Sequence, residues 1–140
     1  MMELAQDPEL LKAVREEVET AYVTDHTTGR RALDLQKTIG LPLLQSIYTE
    51  TLRLHMSINV ARMVLEPIEI EGYELGAGTL LQAPTTIAHT EEDIWSVDGH
   101  PASQFWARRH LKEVDGTQQF ATAGRPSSFF PFGLSSLSND

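Results

Sequence analysis

The chain has 140 residues, a length that suggests a single domain. Its 20 acidic residues outnumber 11 basic ones, and the formal net charge of −9 argues against nucleic acid or an anionic membrane surface as a partner. The absence of cysteine excludes disulfides and thiolate chemistry from these residues and fits a reducing compartment. No apolar run approaches the roughly 20 residues that span a bilayer, so no membrane segment is predicted and the chain as written is expected to be soluble.

The first predicted element is an amphipathic helix over residues 8–23. Asp7 is a capping acid, Pro8 takes the first helical position, and Glu9 adds a negative charge near the positive end of the helix dipole. The apolar residues that follow at helical spacing are Leu11, Val14, Val18 and Tyr22, with Leu4 or Leu10 extending the stripe. One face of this helix is therefore expected to be buried.

A loop broken by Gly29 is predicted over residues 26–31, and a short helix over residues 32–39. The central helix is then predicted from Pro42 to about Met56. Its apolar side consists of Leu44, Ile47, Tyr48, Leu52 and Leu54. A second, polar stripe consists of Ser46, Glu50, Arg53 and Ser57.

Glu50 and Arg53 lie one helical turn apart and can form an ion pair. The ordinary interpretation is a solvated pair on an exposed face, which contributes only about 0.2–0.5 kcal/mol. The helix is apolar around most of its circumference, however, so the polar stripe can instead be buried. In that case the five N–H donors of an arginine require a further polar partner elsewhere in the chain.

After Arg62 the pattern changes from helical to alternating. Residues 66–75 predict a strand and a hairpin that turns at Gly72, and residues 79–83 predict a further strand that ends at Pro84. These segments predict a small antiparallel sheet of two or three strands.

The last third of the chain is predicted to be mostly irregular. A short helix is expected over residues 86–89, a loop over residues 91–93, and a polar loop without periodicity over residues 112–126. The apolar run at residues 129–133 is expected to be buried. The predicted fold class is therefore α+β, mainly helical with a small antiparallel β hairpin or sheet.

Four signals follow one another in this order: Glu50-x-x-Arg53 on a helix, a strand pair after Arg62, Phe105-x-x-x-Arg109 in a coil, and Phe130-Pro131-Phe132-Gly133 near the end. In order and spacing they resemble the C-terminal part of a cytochrome P450, a haem-thiolate monooxygenase. The resemblance runs from about residue 5 to residue 133 and covers a minority of the family's chain.

The resemblance implies that residues 1–140 form a partial cytochrome P450 domain. Residues 8–62 would contain the J, J′ and K helices, and residues 63–84 the β hairpin of sheet 1. Residues 85–133 would form the meander and the start of the haem loop, followed by an aberrant tail at 134–140.

The resemblance also implies roles for individual residues. Glu50, Arg53 and Arg109 would form an ion network that ties the K helix to the meander; the alternative is that Arg109 is a solvated arginine. Arg62 would face a haem propionate, and the alternative is an arginine at a strand edge. The entrance to the haem loop would contain Phe132 and Gly133, and His89 is interpreted as structural.

The sequence departs from the family pattern where the iron ligand is expected. Ala107 replaces the meander proline, Ser135 stands where a second glycine is expected, and Asn139 stands where the cysteine is expected. Cysteine thiolate is the axial iron ligand of this family. The sequence therefore predicts no catalytic residue, no metal ligand and no stably bound haem in this chain, and its tail is interpreted as an altered reading frame or a retained intron.

By resemblance, the complete family member binds haem and receives electrons from an NAD(P)H-dependent reductase. Its reaction would insert one oxygen atom into an apolar organic substrate. This chain is interpreted as a truncated fragment that also lacks the I helix and is inactive alone. The alternative is a non-catalytic interaction module that reuses the framework and exposes apolar patches to a partner.

A small metal or hydrolase site is a third interpretation. It would draw on the five histidines of the chain, His26, His55, His89, His100 and His110. No two of them have the i, i+4 spacing of a helical metal site, and no nucleophile elbow is present, so the sequence disfavours it.

Overall fold

The computed structural model describes residues 2–124 and 126–132. The first part of the chain contains α1 (Met2–Gln6), α2 (Pro8–Glu19), β1 (Tyr22–Thr24), β2 (Arg31–Leu33), α3 (Leu35–Ile39) and α4 (Pro42–His55). The second part contains β3 (Asn59–Met63), β4 (Ile68–Ile70), β5 (Tyr73–Leu75), β6 (Leu80–Pro84), α5 (Thr85–His89), α6 (Glu92–Trp95), β7 (Leu111–Val114), β8 (Thr117–Phe120) and a 3-10 turn (Pro126–Ser128). This mixture of helices and small antiparallel sheets confirms the predicted α+β class.

Helix α2 begins as predicted but ends earlier. The Asp7 carboxylate accepts a hydrogen bond from the N–H of Leu10 at 2.9 Å, and Pro8 occupies the first turn. The prediction that the helix continues to residue 23 is wrong, because Tyr22 belongs to β1, which pairs antiparallel with β2. An aromatic residue followed by valine and threonine favours a strand once a partner is available.

Helix α4 confirms the predicted element, although its buried side differs from the expected one. The buried residues are Leu43, Ser46, Ile47, Thr49, Glu50 and Arg53. Tyr48, expected on the apolar side, is 60% exposed. The polar stripe from Ser46 to Arg53 therefore faces the interior, whereas Ser57 beyond the helix is exposed.

The described strands form four separate two-stranded antiparallel sheets. The hairpin of β4 and β5 confirms the predicted turn, with positive φ angles at both Glu71 and Gly72. Strand β3 pairs with β6 from Asn59 opposite Pro84 to Met63 opposite Leu80. The hairpin of β1 and β2 and most of β3 fall within residues 8–62, the range for which the resemblance implied helices.

The predicted polar loop over residues 112–126 is wrong over its first part, which is the hairpin of β7 and β8. Asp115 and Gly116 both have positive φ and form its turn. Polar residues occupy both faces of these strands, as at Lys112 and Glu113, so no alternation marks them. The predicted loop over residues 91–93 overlaps α6.

The hydrophobic core joins α2 and α4 to the chain around residue 107. Its buried members are Val14, Leu43, Ile47 and Ala107, with Leu4, Leu10, Ala13, Val18, Leu44, Phe105 and Leu111 packed against them. This core brings the coil that carries Arg109 alongside α4.

The apolar run near the end of the chain is only partly buried. Pro131 is buried, whereas Phe132 is 67% exposed, so the expectation that the whole run is buried is wrong. Gly133 and the tail at 134–140 lie outside the described residues.

Candidate functional site

The candidate site is a buried group of charges centred on Glu50 of α4. The side chains of Glu50 and Arg53 have no exposed surface. Nε of Arg53 donates to Oε2 of Glu50 and Nη2 donates to Oε1, both at 2.8 Å. The two side chains therefore form a bidentate ion pair, which fixes both the distance and the plane of the groups.

Arg109 joins this pair from the coil that precedes β7. Its Nε donates to Oε1 of Glu50 at 2.8 Å, across 59 positions of sequence. The other four N–H groups of Arg109 are directed at the backbone carbonyls of Trp95, His100, Pro101 and Gln104. All five donors of this arginine therefore have acceptors, as burial of a guanidinium group requires.

Glu50 accepts more donors than the two arginines supply. The backbone N–H of Trp106 donates to its Oε1 at 3.1 Å, and Nε2 of His110 lies 3.3 Å from its Oε2. Burial by itself would raise the pKa of Glu50, but the interactions with Arg53, His110 and Arg109 outweigh burial and hold that pKa well below its usual range. Glu50 is therefore a carboxylate at neutral pH.

Two buried histidines flank the ion pair. His89 of α5 places Nδ1 at 3.0 Å from the backbone oxygen of Arg53, and Nη1 of Arg53 donates to the backbone oxygen of His89. Burial, and then the positive charge of Arg53, lower the pKa of His89, although the hydrogen bond to the Arg53 backbone opposes them. The ring of His89 is therefore neutral at neutral pH.

The sequence pattern did not indicate His110 as a site residue, except as one of five histidines in the disfavoured metal site. Its side chain is fully buried and its backbone N–H donates to Oγ of Ser46 at 3.1 Å. It reaches Glu50 because β7 and β8 pack against α4. No local pattern marks this packing, so spacing alone could not have identified His110.

Trp95 of α6 closes one side of the cluster. The indole has no exposed surface, and its Nε1 donates to the backbone oxygen of Ala88 at 2.7 Å. The guanidinium carbon of Arg53 lies 5.4 Å from the ring centroid. This distance permits a cation–π attraction in a buried site.

The structure brings together Glu50, Arg53 and Arg109, whereas Arg62 and Phe132 are exposed and lie outside this buried cluster. Arg62 in β3 is exposed and donates to the backbone oxygen of Ala61 at 3.0 Å. Phe132 is largely exposed, and Gly133 falls outside the described residues.

The net charge of this cluster is positive. It contains one carboxylate and two guanidinium groups, so it carries one positive charge in excess, which backbone carbonyls surround. Within residues 2–124 and 126–132, no three histidine or acidic side chains are grouped so that they could hold a metal ion. The helices of the same residues include none with the length and apolar character required to cross a membrane.

The family model described as Cytochrome P450 matches residues 1–134. Among curated proteins, "Cytochrome P450 monooxygenase calL" of Penicillium decumbens is 57% identical over 133 residues, which are 95% of this chain and 25% of that protein. "Cytochrome P450 93G1" of Oryza sativa subsp. japonica is 32% identical over 94% of this chain and 24% of its own length. "2-hydroxyisoflavanone synthase" of Glycyrrhiza uralensis is 29% identical, with 95% of this chain and 24% of that protein covered.

The chain thus spans about a quarter of the length of the curated relatives it matches. The match covers the helix with Glu50 and Arg53, the strands after it and the coil with Arg109. Complete members of the matched family carry haem and generally use redox partners. On this match, the chain belongs to the cytochrome P450 family.

Proposed function

We propose that this chain supplies part of the rigid framework of a cytochrome P450 monooxygenase. Glu50, Arg53 and Arg109 would hold the α4 helix against the coil that precedes β7. The observation that carries this proposal is the full burial of all three charges with hydrogen-bond partners for every donor of Arg109. Such a group adds little net stability over an apolar substitute, so its value lies in fixed geometry.

Two further parts of the proposal concern the residues expected near the haem. Arg62 would compensate a haem propionate, and its exposed guanidinium on β3 supports this because it is accessible to a ligand carboxylate. Phe132 and Gly133 would form the entrance to the haem loop, within a partial cytochrome P450 domain.

The donor set of the 140 residues does not fit a haem iron with a thiolate ligand, because the chain contains no cysteine. We therefore assign no catalytic step to these residues and propose that the chain alone binds no haem stably. Insertion of one oxygen atom into an apolar substrate, with electrons from an NAD(P)H-dependent reductase, is proposed only for a whole protein of this family.

The test compares the purified chain with a chimera. In the chimera, residues 1–132 replace the matching segment of the Penicillium decumbens relative, and all other residues are those of that relative. Both proteins are mixed with haemin, reduced and exposed to carbon monoxide, and their absorbance is recorded. We expect a thiolate-type spectrum from the chimera only.

Variants of the chimera then test the framework and the propionate contact. Glu50→Gln and Arg62→Gln should each lower haem content, whereas Arg108→Gln should not, because Arg108 is an exposed arginine outside the cluster. A thiolate-type spectrum from the chain alone, or full haem content in the Glu50→Gln chimera, would contradict the proposal.

A second candidate is the interaction module, which is favoured by large apolar side chains on the surface. Leu65 is 82% exposed and Tyr73 is 75% exposed. Hydroxyl-radical footprinting of the chimera separates the two candidates. If the chain is part of the framework, Leu65 and Tyr73 should be protected from labelling, because the rest of the domain covers them. If they belong to a docking surface, both should remain labelled.

A further inference from the structure

The two buried histidines use their ring nitrogens in opposite ways. In His89, Nδ1 lies 3.0 Å from the backbone oxygen of Arg53, and a carbonyl oxygen can only accept. Its Nε2 lies 3.2 Å from the backbone nitrogen of Phe130, whose N–H can only donate. The ring proton of His89 therefore resides on Nδ1, and the lone pair of Nε2 accepts from Phe130.

In His110 the assignment is reversed. Its Nδ1 accepts a hydrogen bond from the backbone N–H of Ala123 at 3.0 Å, so the ring proton resides on Nε2. That nitrogen lies 3.3 Å from Oε2 of Glu50, in a contact longer or more bent than a regular hydrogen bond. The backbone oxygen of His110 also accepts from the N–H of Ala121 at 2.8 Å.

Both rings therefore connect the same two parts of the molecule. His89 directs its N–H toward the backbone oxygen of Arg53, and His110 directs its N–H toward the carboxylate of Glu50. Each ring directs its lone pair toward a backbone N–H of the closing segment, which we define as residues 121–124 and 126–132. Ala123 is held at one end of this segment and Phe130 at the other. If the two nitrogens of either ring exchanged roles, a ring N–H would face the backbone N–H of Ala123 or Phe130, and neither group can accept.

A second proton on either ring would have the same effect. It would place a ring N–H against the backbone N–H of Ala123 or Phe130, and it would add charge to a cluster that already has one positive charge in excess. The groups that face His89 are Arg53, Trp95, Phe129 and Phe130, and those that face His110 are Glu50, Trp95 and Phe120. Among these, the charged groups are Glu50 and Arg53.

We propose that His89 and His110 are positioning residues, two neutral imidazoles of opposite tautomer that fasten the closing segment to the Glu50–Arg53–Arg109 cluster. This inference goes beyond the proposed function and does not require haem. It assigns to His89 a defined task in place of a general structural role, and it adds His110, which sequence reasoning did not select.

The first test reads the tautomers directly in the 140-residue chain. Long-range proton–nitrogen correlation spectra distinguish a protonated from a bare ring nitrogen. At neutral pH we expect one buried histidine with its proton on Nδ1 and another with its proton on Nε2, assigned by the loss of each signal in His89→Gln and His110→Asn. The same tautomer in both rings, or averaging between tautomers, would overturn the proposal.

The second test uses amide side chains that imitate one ring nitrogen each. Glutamine places its amide near the position of Nε2, and asparagine near that of Nδ1. At position 89, glutamine should therefore still accept from Phe130, whereas asparagine should not. At position 110, asparagine should still accept from Ala123, whereas glutamine should not.

Hydrogen exchange at these two amides is the measurement. His89→Asn should speed exchange at Phe130 by about tenfold and leave Ala123 unchanged, and His110→Gln should do the reverse. His89→Gln and His110→Asn should keep both amides close to the parent rates. If asparagine and glutamine have the same effect on amide exchange at each position, the histidines only fill space and the proposal is wrong. If a variant does not fold, the tautomer spectra of the parent chain remain the test.

Discussion

Glu50 is a buried carboxylate that is surrounded by hydrogen-bond donors. A buried carboxylate is tolerated only when donors replace the water it has lost, and here two guanidinium groups, one backbone N–H and one imidazole surround it. Because the two arginines depend in turn on Glu50 for their counter-charge, the group acts as a unit.

We predict that Glu50→Gln lowers the free energy of unfolding at about pH 7 by roughly 3–5 kcal/mol, because two buried cations lose their counter-charge. The pKa of Glu50 is depressed in the folded chain, so the stability that its charge supplies is present above the usual value of 4.5. It is lost as the pH falls toward the folded-state pKa, since the unfolded chain takes up the proton first. Because glutamine does not titrate, the Glu50→Gln variant should not lose stability in this way as the pH falls.

Urea unfolding of parent and variant at a series of pH values measures both effects. Glu113→Gln is the control, since Glu113 is an exposed residue of β7 opposite Gln118, and it should change stability by no more than about 0.5 kcal/mol. Parallel loss of stability in parent and Glu50→Gln below pH 4.5 would show that Glu50 is not the titrating group.

Helix α4 is an element that depends on a distant side chain at its N-terminus. Its N-cap position is Leu41, whose side chain cannot accept a hydrogen bond. The N–H groups of Leu43 and Leu44 are instead accepted by the two carboxylate oxygens of Glu17 in α2, at 2.8 and 2.9 Å. A carboxylate at this end also complements the helix dipole.

We predict that Glu17→Ala lowers the free energy of unfolding by about 1–2 kcal/mol, because two N–H groups at the start of α4 lose their acceptor. Glu16→Ala is a matched control on the same helix. Glu16 is exposed and lies 4.0 Å from Lys12 in an i, i+4 pair, so its removal should cost less than about 0.5 kcal/mol. Thermal unfolding of the three proteins gives the comparison, and equal losses in the two variants would refute the capping role.

The tight turns are a second feature at this scale. An acidic residue followed by glycine, both with positive φ, occurs at Glu71–Gly72, Asp98–Gly99 and Asp115–Gly116. Positive φ at both central residues is the geometry of the two-residue hairpin turn. The Asp115–Gly116 pair is a sequence signal for the hairpin of β7 and β8. It did not lead to that prediction, because the strands on either side are polar and show no alternation.

At the scale of the whole molecule, the closing segment folds over Trp95. Gly124 has a φ of +77°, and a Cβ atom on it would lie 2.8–3.0 Å from three ring carbons of Trp95. Because Trp95 is fully buried beside Arg53, the ring has little freedom to move away. The position therefore requires glycine for two separate reasons.

We predict that Gly124→Ala destabilises the chain by about 1–3 kcal/mol more than Gly116→Ala, because only the former adds a clash. Gly116 has a similar φ of +73°, and a Cβ atom added to it would meet nothing within 4 Å, so its variant isolates the backbone cost of about 1 kcal/mol. Urea unfolding gives the difference, and near-ultraviolet circular dichroism reports the Trp95 environment. Equal destabilisation by the two variants would show that the closing segment does not press on Trp95.

The elements with local signals could be predicted from the amino-acid sequence. The extent of α4 followed from its helical period and Pro42, and the hairpin of β4 and β5 followed from alternation and Gly72. The order of the motifs around Glu50 and Phe105 was enough to indicate the family that the comparison confirmed.

The features that join distant positions could be recognised only in the folded molecule. They are the capping of α4 by Glu17, 26 residues away, the pairing of β3 with β6, and the inward position of His110 beside Glu50. Periodicity reports only which side of an element is apolar, whereas a buried polar group is satisfied by whichever donor the packing of other elements brings within about 3 Å. Tyr48 and Phe132 illustrate the same limit, since both are apolar and yet largely exposed in the described structure.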